Sequence, residues 1–437
     1  MSLGKLTVNG RQDGFLCEGK PFFWFADTCW SAFTSIPEAD WDYYLTRRAE
    51  QGMNVLQINT LPQWDRCCPD LGIWPYASED GVRFDWSQPN QAYWDRAAAM
   101  CRAAVEHGIR PALVLMWCNY VPGTWGAKIA ERCGAEVMPR EEVRAHVARV
   151  VENLGEFDPV YVVTGDTDFA GDEAIAYYED ALDEVAKRAP EALRTMHINR
   201  GNRTIPAQYL DRLDFYMFQP GHNYEGQPEA WHLPQDFIAS YPKKPMVNSE
   251  PCYEQMGASR NVYWRFTAQD CRASVWSSIL AGASAGVTYG AHGVWNWQTS
   301  KSQGSVLGEG FDMPFRWQEC LQFAGVWDFG AIEHVLAGLG ATADDDALAV
   351  VPAQELIDDA REAIRVARVG DRVVTYLPRT TALKFKLDGA RDWTATVLDM
   401  EDKRIAKLPV RDNGDGTVRA AQHPFEHDAL VILTPGR

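Results

Sequence analysis

The 437-residue chain lacks the features that mark several protein classes. It has no run of roughly 20 apolar residues, the length a bilayer-spanning helix needs. It has no Lys/Arg-rich run and no basic patch interleaved with aromatics. Its formal net charge of −18 opposes binding to nucleic acid or to an anionic membrane surface. The opening MSLGKLTVNGRQDG has no apolar core of a secretory signal, so a cytoplasmic location is expected. None of the ten Cys forms a CxxC pair, and no His stands at zinc-finger spacing from one, which argues against a structural zinc site. Cys101 and Cys271 fall in apolar helical stripes and read as small buried hydrophobes, and reduced thiols fit the same compartment. There is no internal repeat and no long low-complexity linker.

Apolar residues make up 46% of the chain, enough for a large core, and 17 Trp and 16 Tyr supply flat faces suited to core packing or to stacking on sugars. Through the first three quarters, short apolar runs alternate with amphipathic helical stretches. The runs are 21–28, 53–60, 110–117, 159–166, 194–199, 215–222, 244–250 and 285–295, each near-continuously apolar, as expected of parallel strands covered on both faces. Helical patterns lie at 38–51, 91–107, 141–154, 172–188, 206–213, 234–240, 268–282 and 314–337. Pro37 and Glu38 open the first of them and Gly52 closes it. Eight strands alternating with eight helices is the count of a (β/α)8 barrel. A doubly wound sheet is the runner-up, but no GxGxxG follows the first strand.

Beyond about residue 340 the strands become short and alternating, separated by turn signals such as Asp388-Gly389 and Asn413-Gly414-Asp415-Gly416. That texture predicts a small antiparallel β-sandwich. The expected organisation is an N-terminal β-hairpin over 1–20, a barrel over 21–339 and the sandwich over 340–437. The hairpin would plug the barrel's N-terminal face or join the sandwich.

Chemistry in such a barrel sits at the C-terminal ends of the strands, and here those ends are polar. The first ends in Asp27, the second in Asn59, the third in Trp117 and the fourth in Asp166. The fifth ends in His197, the sixth in Gln219 and His222, the seventh in Glu250 followed by Tyr253, and the eighth carries His292, Trp295 and Trp297. Repeated endings of this kind point one ring of polar groups into a shared cleft. Asp27, Asn59, His197, Gln219, His222 and His292 are candidates to hydrogen-bond substrate hydroxyls. Tyr253 could orient Glu250 through its hydroxyl, and Trp117, Trp295 and Trp297 could wall or floor a pocket.

In VVTGDTDFAGDE (162–173) four acidic residues follow a β-branched run. Asp172 suits a helix N-cap and Glu173 the first turn, beside the positive end of the helix dipole. Asp166 differs, because it ends the strand after Gly165, whose missing side chain leaves room for a ligand. Glu250 ends the seventh strand and is followed by Pro251, which cannot continue the sheet. The fourth and seventh strands lie across a barrel from each other, so the two carboxyls can face one substrate. Retaining glycosidases place a nucleophile and an acid/base about 5–5.5 Å apart. A charged Glu250 would keep Asp166 protonated for donation to a leaving oxygen.

The segments FFWFADTCW (22–30), VTGD (163–166), FQPGH (218–222), KPMVNSEPCYE (244–254) and TYGAHGVW (288–295) resemble the apiosidase-like glycoside hydrolases, family 140. The resemblance covers nearly the whole barrel. It implies a clan A barrel with a small C-terminal β-domain, Asp166 as acid/base, Glu250 as nucleophile, and no cofactor or metal. The first of the two glycines that the family carries before the aspartate is Thr164 here. The expected function is a retaining glycoside hydrolase, exo-acting on plant or microbial cell-wall-type oligosaccharides, with a pentofuranosidase such as a β-apiosidase as one form. Carbohydrate is the expected partner. Two alternatives stand beside it. One is a metal-dependent barrel hydrolase using Asp27, His197, His222, His292 and Asp166, although no HxH or HExxH occurs. The other is a carbohydrate-binding protein without catalysis.

Overall fold

The computed structural model describes residues 2–258, 264–299, 313–359, 362–387 and 392–436. Eight strands form one parallel sheet: β1 (Trp24–Thr28), β2 (Val55–Asn59), β3 (Arg110–Trp117), β4 (Val160–Gly165), β5 (Arg194–Thr195), β6 (Tyr216–Phe218), β7 (Met246–Asn248) and β8 (Gly286–Tyr289). Every residue of β1 to β4 is buried, as two-sided coverage by helices requires. Neighbours pair in the order 5-4-3-2-1-8-7-6, so β1 meets both β2 and β8. At the remaining seam the Asp214 N–H donates to the Arg194 carbonyl at 2.9 Å, and Thr195 Oγ1 donates to the Phe215 carbonyl at 2.8 Å. The sheet is thus a nearly closed (β/α)8 barrel.

The helices follow the apolar periodicity. Glu38–Glu50 starts after Pro37 and Arg140–Leu154 after Pro139, each proline supplying the fixed φ of a helix start. In Asp172–Arg188 the N-cap is Gly171, so Asp172, expected at the cap, is the first helical residue and acts with Glu173 on the dipole instead. The 314–337 pattern is not one helix but three: Trp317–Cys320, Gly325–Gly330 and Ile332–Gly338. The break has a cause in Glu254, whose carboxylate takes the Gly325 N–H at 3.0 Å. A Cβ on Gly325 would come within 2.5 Å of that oxygen.

At the N-terminus the expected hairpin has a third strand, giving the antiparallel sheet Leu6–Val8, Phe15–Cys17 and Lys20–Phe22. Buried Phe15 sets its ring 5.0 Å from Phe215 and 6.1 Å from Trp24, just before β6 and at the start of β1, and so closes the barrel's N-terminal end. The C-terminal part holds a six-stranded and a three-stranded antiparallel sheet. They share one core, to which Val373, Val397 and Leu433 contribute from the larger sheet and Phe385 and Val418 from the smaller. The Asn413–Gly416 turn links Val410–Asp412 to Val418–Ala420, with Gly414 and Gly416 at φ of 72° and 79°. The Asp388-Gly389 turn signal lies outside the described residues.

A buried ion cluster ties the C-terminal part to the barrel. Arg272, on the helix Ala268–Leu280, gives Nη2 to Asp428 and Nη1 to Asp328, each at 2.6 Å, and the Tyr376 hydroxyl donates to Asp428 at 2.8 Å. Removing one partner strands the other charge in the interior. Asp428→Ala is therefore expected to cost about 3–5 kcal/mol, read as a lowered midpoint in thermal or urea unfolding. An unchanged midpoint would show that this cluster does not hold the two parts together.

Candidate active site

All eight strand ends contribute to one cavity of about 280 Å³. Trp30 comes from the end of β1, Gln63, Trp64 and Asp65 from β2, Trp117 and Trp125 from β3, and Asp166 from β4. Asn199 comes from β5, Gln219 and His222 from β6, Glu250 and Tyr253 from β7, and Trp295 from β8. Cavities also open at the other end of the barrel, but the one beside the starts of β3 and β4 is lined by Arg110, Val160 and neighbours and holds none of the candidate catalytic groups.

The strand-end backbone sets the position of Asp166. Its φ of 54° lies in the left-handed region, which Asp tolerates better than most residues and which turns the chain sharply out of β4. The Asp166 N–H donates to Nδ1 of His197 at 3.1 Å, and its carbonyl accepts the Trp125 indole N–H at 2.8 Å. Gln219 Nε2 donates to Oδ1 at 2.6 Å and to the Ile198 carbonyl at 3.0 Å, and the second contact fixes which end of the amide faces the carboxyl. The space beside Gly165 is not left to a ligand as expected. A Cβ there would come within 2.0 Å of the Trp117 ring, so the glycine seats that indole. Gly290 does the same for Tyr253, whose ring would also lie 2.0 Å from a Cβ.

Glu250 is held by two imidazoles, with His222 Nε2 at 2.8 Å from Oε1 and His197 Nε2 at 3.2 Å from Oε2. Because Nδ1 of His197 accepts from Asp166, its ring proton sits on Nε2, the nitrogen on the Glu250 side. One ring thus touches both candidate residues. It is wedged between Trp30, with ring centres 5.5 Å apart, and Trp117, at 6.1 Å. Thr164 adds to this hold by donating Oγ1 to the His197 carbonyl at 2.8 Å.

The two carboxyls are pushed in opposite directions. Burial acts to raise that of Glu250, but the hydrogen bonds from His197 and His222 outweigh it and hold the group down to about 2. Burial first, and the negative charge of Glu250 second, drive that of Asp166 well above the usual carboxylate range, against the opposing hydrogen bond from Gln219. The two shifts favour the charged form of Glu250 and the protonated form of Asp166 in the same cavity.

The other candidates divide. Trp117, Gln219, His222, Tyr253 and Trp295 line the cavity, and His197 stands directly behind the carboxyls. Asp27 does not line it. Its buried carboxylate faces outward to Arg48 and the Tyr44 hydroxyl, each at 2.6 Å, so its partners are protein groups rather than a sugar. Asn59 and His292 are buried outside the lining, and His292 takes the Trp295 indole N–H at 3.3 Å. Trp297 is a core residue, stacked on Trp317 with ring centres 4.4 Å apart. Among the described residues, the five side chains of a metal-dependent reading do not converge. The one grouping able to gather ligand atoms is Asp399, Asp402 and His427, in the C-terminal part. Gln63, Trp64, Asp65 and Trp125 line the cavity without having been singled out. The signal available for Gln63, Trp64 and Asp65 was the Trp-rich stretch after β2. No described helix is long and apolar enough to cross a membrane.

A family model described as apiosidase-like, catalytic domain, matches residues 12–342. No curated protein matches the chain. A solved structure described as a glycoside hydrolase superposes with a TM-score of 0.76 at 21% identity, over 99% of this chain and 97% of that one. A family 5 glycoside hydrolase from Bacteroides vulgatus ATCC 8482 gives 0.78 at 21% identity, over 99% and 94%. At these identities the structures speak for the fold. The family-model match spans the barrel and every strand end that forms the cavity, and the chain belongs to the apiosidase-like glycoside hydrolases, built on a (β/α)8 barrel.

Proposed function

We propose that the protein hydrolyses glycosides with retention, using Glu250 as nucleophile and Asp166 as acid and then base. The observation that carries this reading is the placement of two carboxyls in one cavity on either side of the His197 ring, with their pKa values pushed in opposite directions. A retaining enzyme needs both states at once, a charged attacker and a loaded acid. Gln219 donates into Oδ1 of Asp166, which puts the acidic proton on Oδ2. As the Glu250 carboxylate bonds to the anomeric carbon, that proton passes to the departing oxygen. Forming the glycosyl ester removes the negative charge that raised the Asp166 pKa. Asp166, now the stronger acid and left ionised, takes a proton from water, which attacks the anomeric carbon and releases Glu250.

A cavity of about 280 Å³ walled by five tryptophans supports removal of a terminal sugar over binding of a long chain. Cell-wall-type oligosaccharides are the proposed substrates, and furanosides such as a β-apioside are the first glycones to test. Among 4-nitrophenyl glycosides, including furanosides, at least one should be cleaved with the product's first-formed anomer matching the substrate. Asp166→Ala should lower kcat/KM for an unactivated oligosaccharide by about 100- to 10,000-fold. Glu250→Ala should be inactive, and azide should restore turnover by forming the glycosyl azide of opposite configuration. Binding without turnover across the panel, or an inverted first product, would overturn the proposal.

The charge arrangement also fixes a stability trend. Asp166 binds its proton more tightly folded than unfolded, so its contribution falls as pH rises from the unfolded value of about 4 toward the raised folded one. Asp166→Asn removes that penalty. The variant should melt higher than the wild type at neutral pH, by the equivalent of about 0.5–2 kcal/mol, with the gap closing below about pH 4. A gap that widens on acidification would contradict the raised pKa.

A further inference from the structure

The cavity has two unlike walls. On the side of β6 and β7 most polar groups are spent on one another: Gln219 on Asp166, His222 on Oε1 of Glu250, and the Tyr253 hydroxyl on the Trp30 indole N–H at 3.2 Å, while Oε2 of Glu250 stands 3.2 Å from Nε2 of His197. On the side of β2 and β3 they are not. Among the described residues, Gln63 Oε1, Asp65 Oδ1, Trp64 Nε1 and Trp117 Nε1 have no hydrogen-bond partner, although Gln63 is 3% and Asp65 8% exposed. Leaving buried polar atoms unpaired costs about 1–3 kcal/mol each, so such a cluster in a cavity calls for a ligand.

This wall is rigid. The Tyr120 hydroxyl donates to the Pro62 carbonyl at 2.6 Å, and the Cys67 N–H to the Asn296 carbonyl at 3.2 Å, pinning the segment on both sides of Asp65. Arg66 is next in sequence, and its charge opposes the rise of the Asp65 pKa, but its hydrogen bonds go elsewhere. Its Nε is engaged by Asp70 at 2.7 Å, Nη1 by the Gln63 carbonyl at 2.8 Å and Nη2 by the Gly81 carbonyl at 2.7 Å. Two acceptors and two donors without partners therefore belong to residues lining one cavity. A hydroxyl both donates and accepts, so a sugar's vicinal hydroxyls match this set. An anion can only accept and would also face charged Glu250, whereas a cation can only donate.

We propose that Gln63 and Asp65 are the specificity-determining residues of the glycone site and take two neighbouring hydroxyls of a neutral sugar. Trp64 and Trp117 donate to the same hydroxyl oxygens. Burial, with the charge of Glu250 added, pushes the Asp65 carboxyl up to about 7, so it can accept or donate as the hydroxyl requires. The inference rests on the glycosidase reading and deepens it.

The test is a cycle of substrate and enzyme deletions. The 4-nitrophenyl glycoside that the wild type cleaves best is compared with its monodeoxy analogues on wild type, Gln63→Ala, Asp65→Ala and Asp65→Asn. In the wild type, loss of either of two adjacent hydroxyls should lower kcat/KM by about 10- to 100-fold. For one of them the penalty should shrink to under about threefold in Asp65→Ala, and for the other in Gln63→Ala, as expected when the partner is already gone. Asp65→Asn keeps the shape of the wall and separates lost recognition from lost folding. Calorimetric binding of free neutral monosaccharides and their deoxy analogues reads the same cycle without turnover. Equal deoxy penalties in wild type and variants would overturn the inference, as would a preference for uronic-acid glycosides. Azide rescue of Glu250→Ala alongside such a result would leave the nucleophile assignment standing and remove this one alone.

Discussion

A carboxylate kept charged in a cavity walled by five tryptophans needs donors close at hand, and Glu250 takes them from His197 and His222 at 3.2 and 2.8 Å. Burial acts against that charge, and the two imidazoles supply the compensation. The charge of Glu250 in turn adds to burial in raising the pKa of Asp166. The same His197 ring accepts the Asp166 N–H through Nδ1, so the orientation that serves one residue also fixes the backbone of the other.

The barrel exists at this site largely as a frame for that ring. Trp30 and Trp117, from the ends of β1 and β3, hold its faces, and Thr164 in β4 holds its backbone. Gly165 makes the packing possible, since any side chain there would displace the Trp117 indole. Precise placement of reacting groups is a large part of enzymatic rate, and the two candidate carboxyls are placed at strand ends. The opposite end of the barrel is given over to closure, where Phe15 meets Phe215 and Trp24. Stability and chemistry are thus separated along the barrel axis.

Much of this was legible in the residue pattern, for physical reasons that differ by element. Arg110–Trp117 reads as a strand because a run apolar at both parities fits only a doubly covered parallel sheet. Such a run does not say which face each residue takes. Asp27 shares its face with Phe25, whose ring lies 6.3 Å from that of Phe329 on an outer helix, so it points to Arg48 and away from the cavity. Trp297 shows the same limit, as its stacking on Trp317 depends on a distant segment. The break in the 314–337 helix comes from the Glu254 carboxylate, which no local periodicity records. Gln63 and Asp65 lie in an irregular segment, where only long-range contacts such as Tyr120 to Pro62 give the side chains direction. Asp166 and Glu250 stood out because each ends a strand, and a strand end in this architecture has one place to go.

The division of charge between the two carboxyls can be read directly by carbon-13 NMR of the protein labelled at aspartate side-chain carboxyls, with Asp166→Asn identifying the signal. The Asp166 resonance should remain that of a protonated carboxyl well above the ordinary value of about 3.9, and should move back toward that value in Glu250→Gln. A signal titrating near about 4 in both proteins would contradict the account at its centre.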